Sequence, residues 1–304
     1  MAVVDTTNTT SEVAVANSGS LAVSPTGANA GDVYVTNASS VSVIDPTGTV
    51  IYTIPINASY GTPSGVAVAP AGVPDAGYVY VATSGGVVYV IDPSSQSVVG
   101  STDVGFPLNY IAVSPTGSKA GYVYVTDTRD QTVFVISPYD AQNPSTIGAV
   151  SVGNGPGSLA ISPTGANAGN VYVGNYLSST VSVIDPSNTV STIVLGDSTV
   201  SSGYAFQPKF VAVSPTGANA GYVYVGGYQG DIAVIDPSGT YVGNIGGSFG
   251  YDPGGLAVGP TGANAGNIYL ASASDRNLRV LSPAGAVLET TFVGVWASGI
   301  AIAP

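Results

Sequence analysis

Histidine and cysteine are absent from all 304 residues. Their absence excludes a Ser-His-Asp or Cys-His nucleophile, a zinc site of the usual ligands, haem or iron–sulfur ligation, and any disulfide. Charge is also scarce. Five basic residues stand against 17 acidic ones, a formal net charge of −12 at pH 7. Nucleic-acid binding needs several Lys and Arg on one face, so it is not expected, and an anionic membrane surface is disfavoured for the same reason. No apolar run approaches the roughly 18 residues of a membrane helix, so no membrane span is expected. The segment Met1-Ala2-Val3-Val4-Asp5 is neither basic nor followed by an apolar stretch of signal-peptide length. Export is therefore expected to depend on a longer parent protein, and a cytoplasmic location is also compatible.

Repetition is what the chain has in abundance. One unit opens with Leu21–Asn37 (LAVSPTGANAGDVYVTN), continues through Val41–Pro46 (VSVIDP) and closes with Thr49–Ile56 (TVIYTIPI). Its proline marker stands at Pro25, Pro70, Pro115, Pro163, Pro215, Pro260 and Pro304, at intervals of 45, 45, 48, 52, 45 and 44 residues. That spacing is the four-strand period of a propeller blade. A composition 44% hydrophobic and only 7% charged fits strands buried on both faces. A closed repeat array then makes 1–304 one domain despite its length.

Each unit carries four short runs of strand character. Strand A is of the Val66-Ala67-Val68 type, strand B of the Val33-Tyr34-Val35 type, strand C of the Val41–Ile44 type, and strand D a Val/Ile–Thr alternation after Asp-Pro. Small residues in strand A suit the crowded centre of a propeller. Ser-Pro-Thr-Gly joins A to B, because proline presets φ and glycine accepts positive φ. Asp-Pro (Asp45, Asp92, Asp185, Asp236) follows strand C, where the carboxylate accepts local backbone N–H groups and proline stops the ladder. Recurring on one turn, these aspartates read as turn residues rather than metal ligands.

The motif Tyr34-Val35-Thr36-Asn37, with variants at Tyr124-Val125-Thr126-Asp127, Tyr172-Val173-Gly174-Asn175 and Tyr224-Val225-Gly226-Gly227, resembles the YVTN-type β-propeller repeat family, related to surface-layer and lactonase-like propellers. The resemblance covers essentially the whole chain and implies about seven blades. It implies no single activity, since members include surface proteins, binding modules and enzymes.

The expected fold is therefore all-β, a seven-bladed β-propeller of four-stranded antiparallel blades. Six units span about 21–64, 65–109, 110–157, 158–209, 210–254 and 255–297. Blade seven is expected from 298–304 plus 1–17, shared between the termini: 299–304 as strand A, 2–5 and 12–16 as strands C and D. That blade lacks strand B, which suggests a chain cut from a longer repeat protein, or a blade content with three strands.

Tandem copies permit an internal comparison. The A–B loops Ser24–Gly31, Ser162–Gly169 and Ser214–Gly221 are identical and look structural. The D–A and B–C loops, at the opposite ends of the blades, vary. They contribute the candidate ligand-binding residues Tyr110, Asp127, Arg129, Tyr176, Tyr204, Phe206, Lys209, Tyr228, Tyr251, Asp275, Arg276 and Trp296, with Tyr60, Phe106 and Phe249 also in D–A loops. The long D–A segment 197–209 is expected to drape over the channel mouth, where aromatics would stack a sugar or peptide and Lys209 and Arg129 would pair an anion. Alternatively these aromatics cap the blade ends.

Three weaker motifs are set aside. Gly246–Gly250 matches G-x-S-x-G, but without histidine it reads as a glycine-rich loop. Asp127–Asp130 lacks the ordered oxygen spacing of a calcium loop and contains an arginine. Asn-x-Ser/Thr triplets at Asn8, Asn37 and Asn57 arise by chance in so Asn/Ser/Thr-rich a chain. The expected function is thus a non-enzymatic binding or scaffold module, surface-associated or extracytoplasmic, monomeric, without cofactor or metal, taking a protein, peptide or carbohydrate at the D–A/B–C loops. The alternative is a lactonase-like or other divalent-cation-dependent hydrolase using aspartates, since the only glutamates, Glu12 and Glu289, fall in outer D strands.

Overall fold

The computed structural model describes residues 2–4, 10–12, 19–105, 107–138, 144–196, 206–245, 249–294 and 299–302. Two compact units divide the chain, one of residues 1–150 and one of Ser151–Ile302. In the first, β1 (Ala2–Val4) and β2 (Thr10–Glu12) form an antiparallel pair, and no other described strand joins them. Three four-stranded sheets follow. Blade one is β3 (Leu21–Val23), β4 (Val33–Thr36), β5 (Ser40–Ile44) and β6 (Val50–Pro55). Blade two is β7 (Pro63–Val68), β8 (Val79–Thr83), β9 (Val87–Asp92) and β10 (Ser97–Asp103). Blade three is β11 (Leu108–Val113), β12 (Val123–Asp127), β13 (Thr132–Ser137) and β14 (Ser145–Ser151).

The second unit holds three more. Blade four is β15 (Pro156–Ile161), β16 (Val171–Asn175), β17 (Thr180–Ile184) and β18 (Val190–Val194). Blade five is β19 (Pro208–Val213), β20 (Val223–Gly227), β21 (Ile232–Ile235) and β22 (Tyr241–Ile245). Blade six is β23 (Pro253–Val258), β24 (Ile268–Ser272), β25 (Asn277–Leu281) and β26 (Val287–Phe292). In every blade the strands lie in chain order A-B-C-D.

The Val-Tyr-Val alternation explains the packing. Successive side chains point to opposite faces, so tyrosine leaves one face of strand B and valines the other. Within each unit the tyrosine face of one blade meets the valine face of the next. Tyr34, Val41 and Val43 pack on Val66, Val79 and Val81 of blade two; Tyr172, Val181 and Val183 pack on Val211, Val223 and Val225 of blade five. Tyr34, Tyr80, Tyr124, Tyr172 and Tyr224 are fully buried. Val35, Val123, Val125, Val171 and Val173 are equally inaccessible, whereas Val33 is only half-buried. The D strands bury little: Val194 stays 65% exposed.

The turns at the A–B and C–D ends satisfy themselves. In blade one Gly31, at φ 88°, donates its N–H to the Ser24 carbonyl at 2.9 Å, and Asp45 Oδ1 accepts the N–H groups of Thr47 and Thr49 at 3.0 and 2.8 Å and the Thr47 hydroxyl at 2.6 Å. Asp185 and Asp236 repeat that geometry with Ser187, Thr189, Ser238 and Thr240. Asparagine in the A–B loop ties blades together. Asn29 Nδ2 reaches the Tyr34 hydroxyl of its own blade at 3.3 Å and the Pro93 carbonyl of the next at 3.2 Å. Asn167 donates likewise to the Pro237 carbonyl, and Asn219 to the Tyr224 hydroxyl at 2.9 Å.

The propeller fold is as expected, but the blade number is not. Among the described residues there are six four-stranded blades, not seven, and no blade shared between the termini. The predicted strand C of blade seven, 2–5, overlaps β1, which pairs with β2, while the predicted strand D, 12–16, lies outside the described residues except for Glu12. Residues 299–302 belong to no strand, although they lie where a strand A would. A Cβ on Gly255 would stand 2.8 Å from Ile300 N, much as one on Gly65 would stand 2.6 Å from the Asn109 carbonyl of the next strand A. The physical reason is the missing ladder. An A-type run becomes a strand by pairing with a B strand, and among the described residues 299–302 pair with none.

Candidate functional site

The opposite ends of the blades carry the B–C hairpin turns and D–A loops. There the residue at the end of strand B varies among the copies: Asn37, Thr83, Asp127, Asn175, Gly227 and Ser272. The hairpin is closed in more than one way. Asn37 and Asn175 donate to Ser42 and Ser182 of strand C, both at 2.9 Å, and Thr83 exchanges bonds with the Val87 backbone. Asp127 has Phe134 near it on strand C instead of a serine, and its Oδ1 accepts the N–H groups of Arg129 and Asp130 at 2.8 and 3.3 Å. Expected on a ligand loop, Asp127 is fully buried at the end of β12 and caps its own turn. Arg129 beside it is exposed. Tyr110 lies within β11, its N–H donating to Thr126 Oγ1 at 3.1 Å, and burial raises its phenol pKa.

In the second unit the structure brings several candidates together. Tyr176 and Tyr228, on the B–C turns of blades four and five, meet edge to face with centroids 6.3 Å apart at 90°, the geometry the ring quadrupoles favour. The turn at Tyr228 is held from both sides: its N–H donates to the Gln207 carbonyl at 3.0 Å, and its carbonyl accepts the Asp252 N–H at 2.8 Å. Lys209 bonds the Asp252 carboxylate and stands 5.6 Å from the centre of the Phe210 ring. Phe206 is half-buried over Gly227, where a Cβ would stand 2.9 Å from its ring. Tyr251, next to Asp252, is 62% exposed.

Asp275 does not face a ligand loop partner; it pairs with Arg279 four residues on, and Arg279 also donates to the Phe249 carbonyl at 2.8 Å. Burial alone would raise the Asp275 carboxyl, but the Arg279 guanidinium and Asn277 outweigh it and lower its pKa to about 2. Arg276 is exposed at φ 59°. Tyr204, Trp296 and Ser248 of the G-x-S-x-G match lie outside the described residues. Asp231 is the carboxylate the sequence reading passed over: burial raises its pKa, and Asn244 donates to it at 3.2 Å. Among the described residues no three carboxylates gather in one place, and no helix is long and apolar enough to cross a membrane.

These ends therefore present tyrosines and polar side chains locked by main-chain bonds, with Lys209 and Arg279 each neutralised by an aspartate. Such a surface can stack and hydrogen-bond a ligand. No protein-family model and no curated protein matches the chain, so the YVTN resemblance rests on the motif residues alone. Among solved structures it is similar to Kuenenia stuttgartiensis hydrazine synthase, with a TM-score of 0.73 over 95% of this chain and 90% of that chain, at 17% identity. At that identity the likeness shows the fold, a β-propeller, and carries nothing about activity.

Proposed function

We propose that the protein is a non-enzymatic β-propeller binding module, extracytoplasmic or at a cell surface as part of a longer exported protein. Its protein, peptide or carbohydrate ligand docks on the D–A and B–C loops of blades four to six. The observation that supports this most is the contrast between a self-satisfied repeated end and a varied end that keeps Leu177, Tyr228 and Tyr251 at 63%, 39% and 62% exposure on turns fixed by backbone hydrogen bonds. A fixed aromatic spends no conformational entropy on binding, which favours recognition. Arrayed oligosaccharides and peptides test the reading. The double variant Tyr228→Ala, Tyr251→Ala should bind about tenfold or more weakly than the parent, each ring contributing about 0.5–1.5 kcal/mol. Undiminished binding by the double variant, or turnover of a lactone abolished by chelator, overturns it.

A further inference from the structure

A concave feature lies in the first unit, away from every residue the sequence singled out except Asn57 and Tyr60. It is a cleft of about 220 Å³ lined by Asn57, Tyr60, Val87, Tyr89, Ser101 and Asp103. The pleat places four of these on one face of blade two: Tyr89 pairs with Ser101 and Val87 with Asp103 across β9 and β10. The other two come from the D–A loop of blade one, where a 3₁₀ turn at Ala58–Tyr60 is capped by Asn57 Oδ1 accepting the Ser59 N–H at 3.1 Å.

The wall carrying Tyr60 is held tightly. Gly85 lies so close that a Cβ there would come within 2.2 Å of the Tyr60 carbonyl oxygen, and one on Gly61 would come within 2.4 Å of Gly85 N. Ser84 Oγ accepts the Thr62 N–H at 3.0 Å. The loop thus docks on the B–C turn of blade two with no space for a side chain, and Tyr60 is fixed while remaining 45% exposed. Burial, and then the neighbouring Tyr60 phenol, raise the pKa of Tyr89, in keeping with two phenols converging on the cleft.

We propose that this cleft binds an alkylammonium group. The chemistry of its lining selects that class. Asp103 supplies a carboxylate of which, among the described residues, only Oδ1 is engaged, by the Gly105 N–H at 2.8 Å. The half-exposed Tyr60 ring offers a π face, which attracts cations, with the buried Tyr89 beside it, and Ser101 adds a hydroxyl acceptor. No Lys or Arg lines the cleft, so an anion finds no partner and no resident cation competes. The net charge of −12 draws cations toward the surface. Size agrees: the volume lies below the roughly 300–1,000 Å³ of pockets for drug-sized ligands, so a single small head group fits. The group is supplied either by a free amine or by the lysine of a polypeptide.

Amide NMR on the full chain distinguishes these sources. Titration with n-butylammonium, and with the peptide acetyl-Gly-Lys-Gly-amide, should shift resonances of residues 58–61, 87–89 and 101–103, saturating in the millimolar range. A peptide at least tenfold tighter than butylammonium identifies a polypeptide lysine as the source; equal affinities identify a free amine. Asp103→Asn, which keeps the oxygen that accepts from Gly105, should weaken binding about tenfold, as loss of a charge-assisted bond implies. Tyr60→Phe should bind like the parent and Tyr60→Ala about two- to fivefold more weakly, because the ring and not the hydroxyl is what attracts a cation. The proposal fails if 100 mM butylammonium leaves these amides unmoved, if Asp103→Asn binds equally well, or if methyl β-glucoside shifts them while the ammonium probes do not.

Discussion

The two ends of a blade obey different rules. At the A–B and C–D ends each turn is satisfied by its own residues: Asp45, Asp185 and Asp236 each bind the hydroxyl two residues on and the N–H four residues on. Contacts to the next blade recur too, from Asn29 to Pro93 and from Asn167 to Pro237. At the B–C and D–A ends the hairpins are closed by varied residues, and partners also come from neighbouring loops, as with Tyr228, Gln207 and Asp252. A self-sufficient turn can be copied from unit to unit without adjustment. An end that leans on its neighbours must be solved anew in each copy, and that freedom lets it acquire a ligand.

The comparison breaks most visibly at tyrosine. Tyr224 is fully buried and its hydroxyl is held from the repeated end by Asn219, whereas Tyr251 projects from the varied end. Tyr224→Ala should lower stability by about 3–5 kcal/mol, as loss of a buried aromatic side chain does. Tyr251→Ala should stay within about 0.5 kcal/mol of the parent, as exposed substitutions do. Urea midpoints measure both; similar losses at the two positions would mean that the varied end is scaffold as well.

The sequence made the blades legible because their signals are local. Period-two alternation, Pro-Thr-Gly and Asp-Pro each specify a strand or turn within a few residues, and the runs at 33–35, 41–44 and 66–68 fall within β4, β5 and β7. The blade number was not legible, since Gly299–Ile302 carries a strand pattern that no described strand pairs. The site was legible only as a set of loops. That Asp127 caps its own turn rather than bonding strand C fits Phe134 standing where Ser42 and Ser182 stand in other blades, a cross-strand relation that no loop motif shows. The cleft at Tyr60 depends on the approach of Gly85, and its other wall comes from strands C and D of blade two.

A smaller effect is expected where one copy departs from the repeated end. Blade three has Lys119 where Asn29, Asn167 and Asn219 stand, and among the described residues its buried Tyr124 hydroxyl has no hydrogen-bond partner. Burial pushes that phenol up to about 12. Lys119 instead lies over the Tyr122 ring at 4.5 Å. Lys119→Asn restores the usual donor at the loss of an exposed cation–π contact, so a net gain of about 0.5–1 kcal/mol is expected. An unchanged or lower urea midpoint would mean that the hydroxyl already has a partner in water.

Titration separates carboxylates held by their own turns from a carboxylate that is buried. At the repeated end the hydroxyls of Thr47, Ser187 and Ser238, followed by backbone N–H groups, hold Asp45, Asp185 and Asp236 below the ordinary carboxylate range. Their contribution to stability is complete above the unfolded value of about 3.9 and is lost as pH falls through their lower folded values. Asp231, at the varied end, is raised by burial, so the sign reverses. The folded state takes up its proton first, and acidification through that raised value stabilises the fold until the unfolded chain protonates as well. Stability should therefore rise slightly on mild acidification before it falls. Asp231→Asn should reduce the rise and leave the fall unchanged, while Asp185→Asn should reduce the fall. Carboxyl-carbon NMR reads the same order directly: Asp231 titrates first, the turn aspartates together at lower pH, and Asp275 near 2. A common midpoint for all five would mean that neither local hydrogen bonds nor burial sets these carboxyls apart.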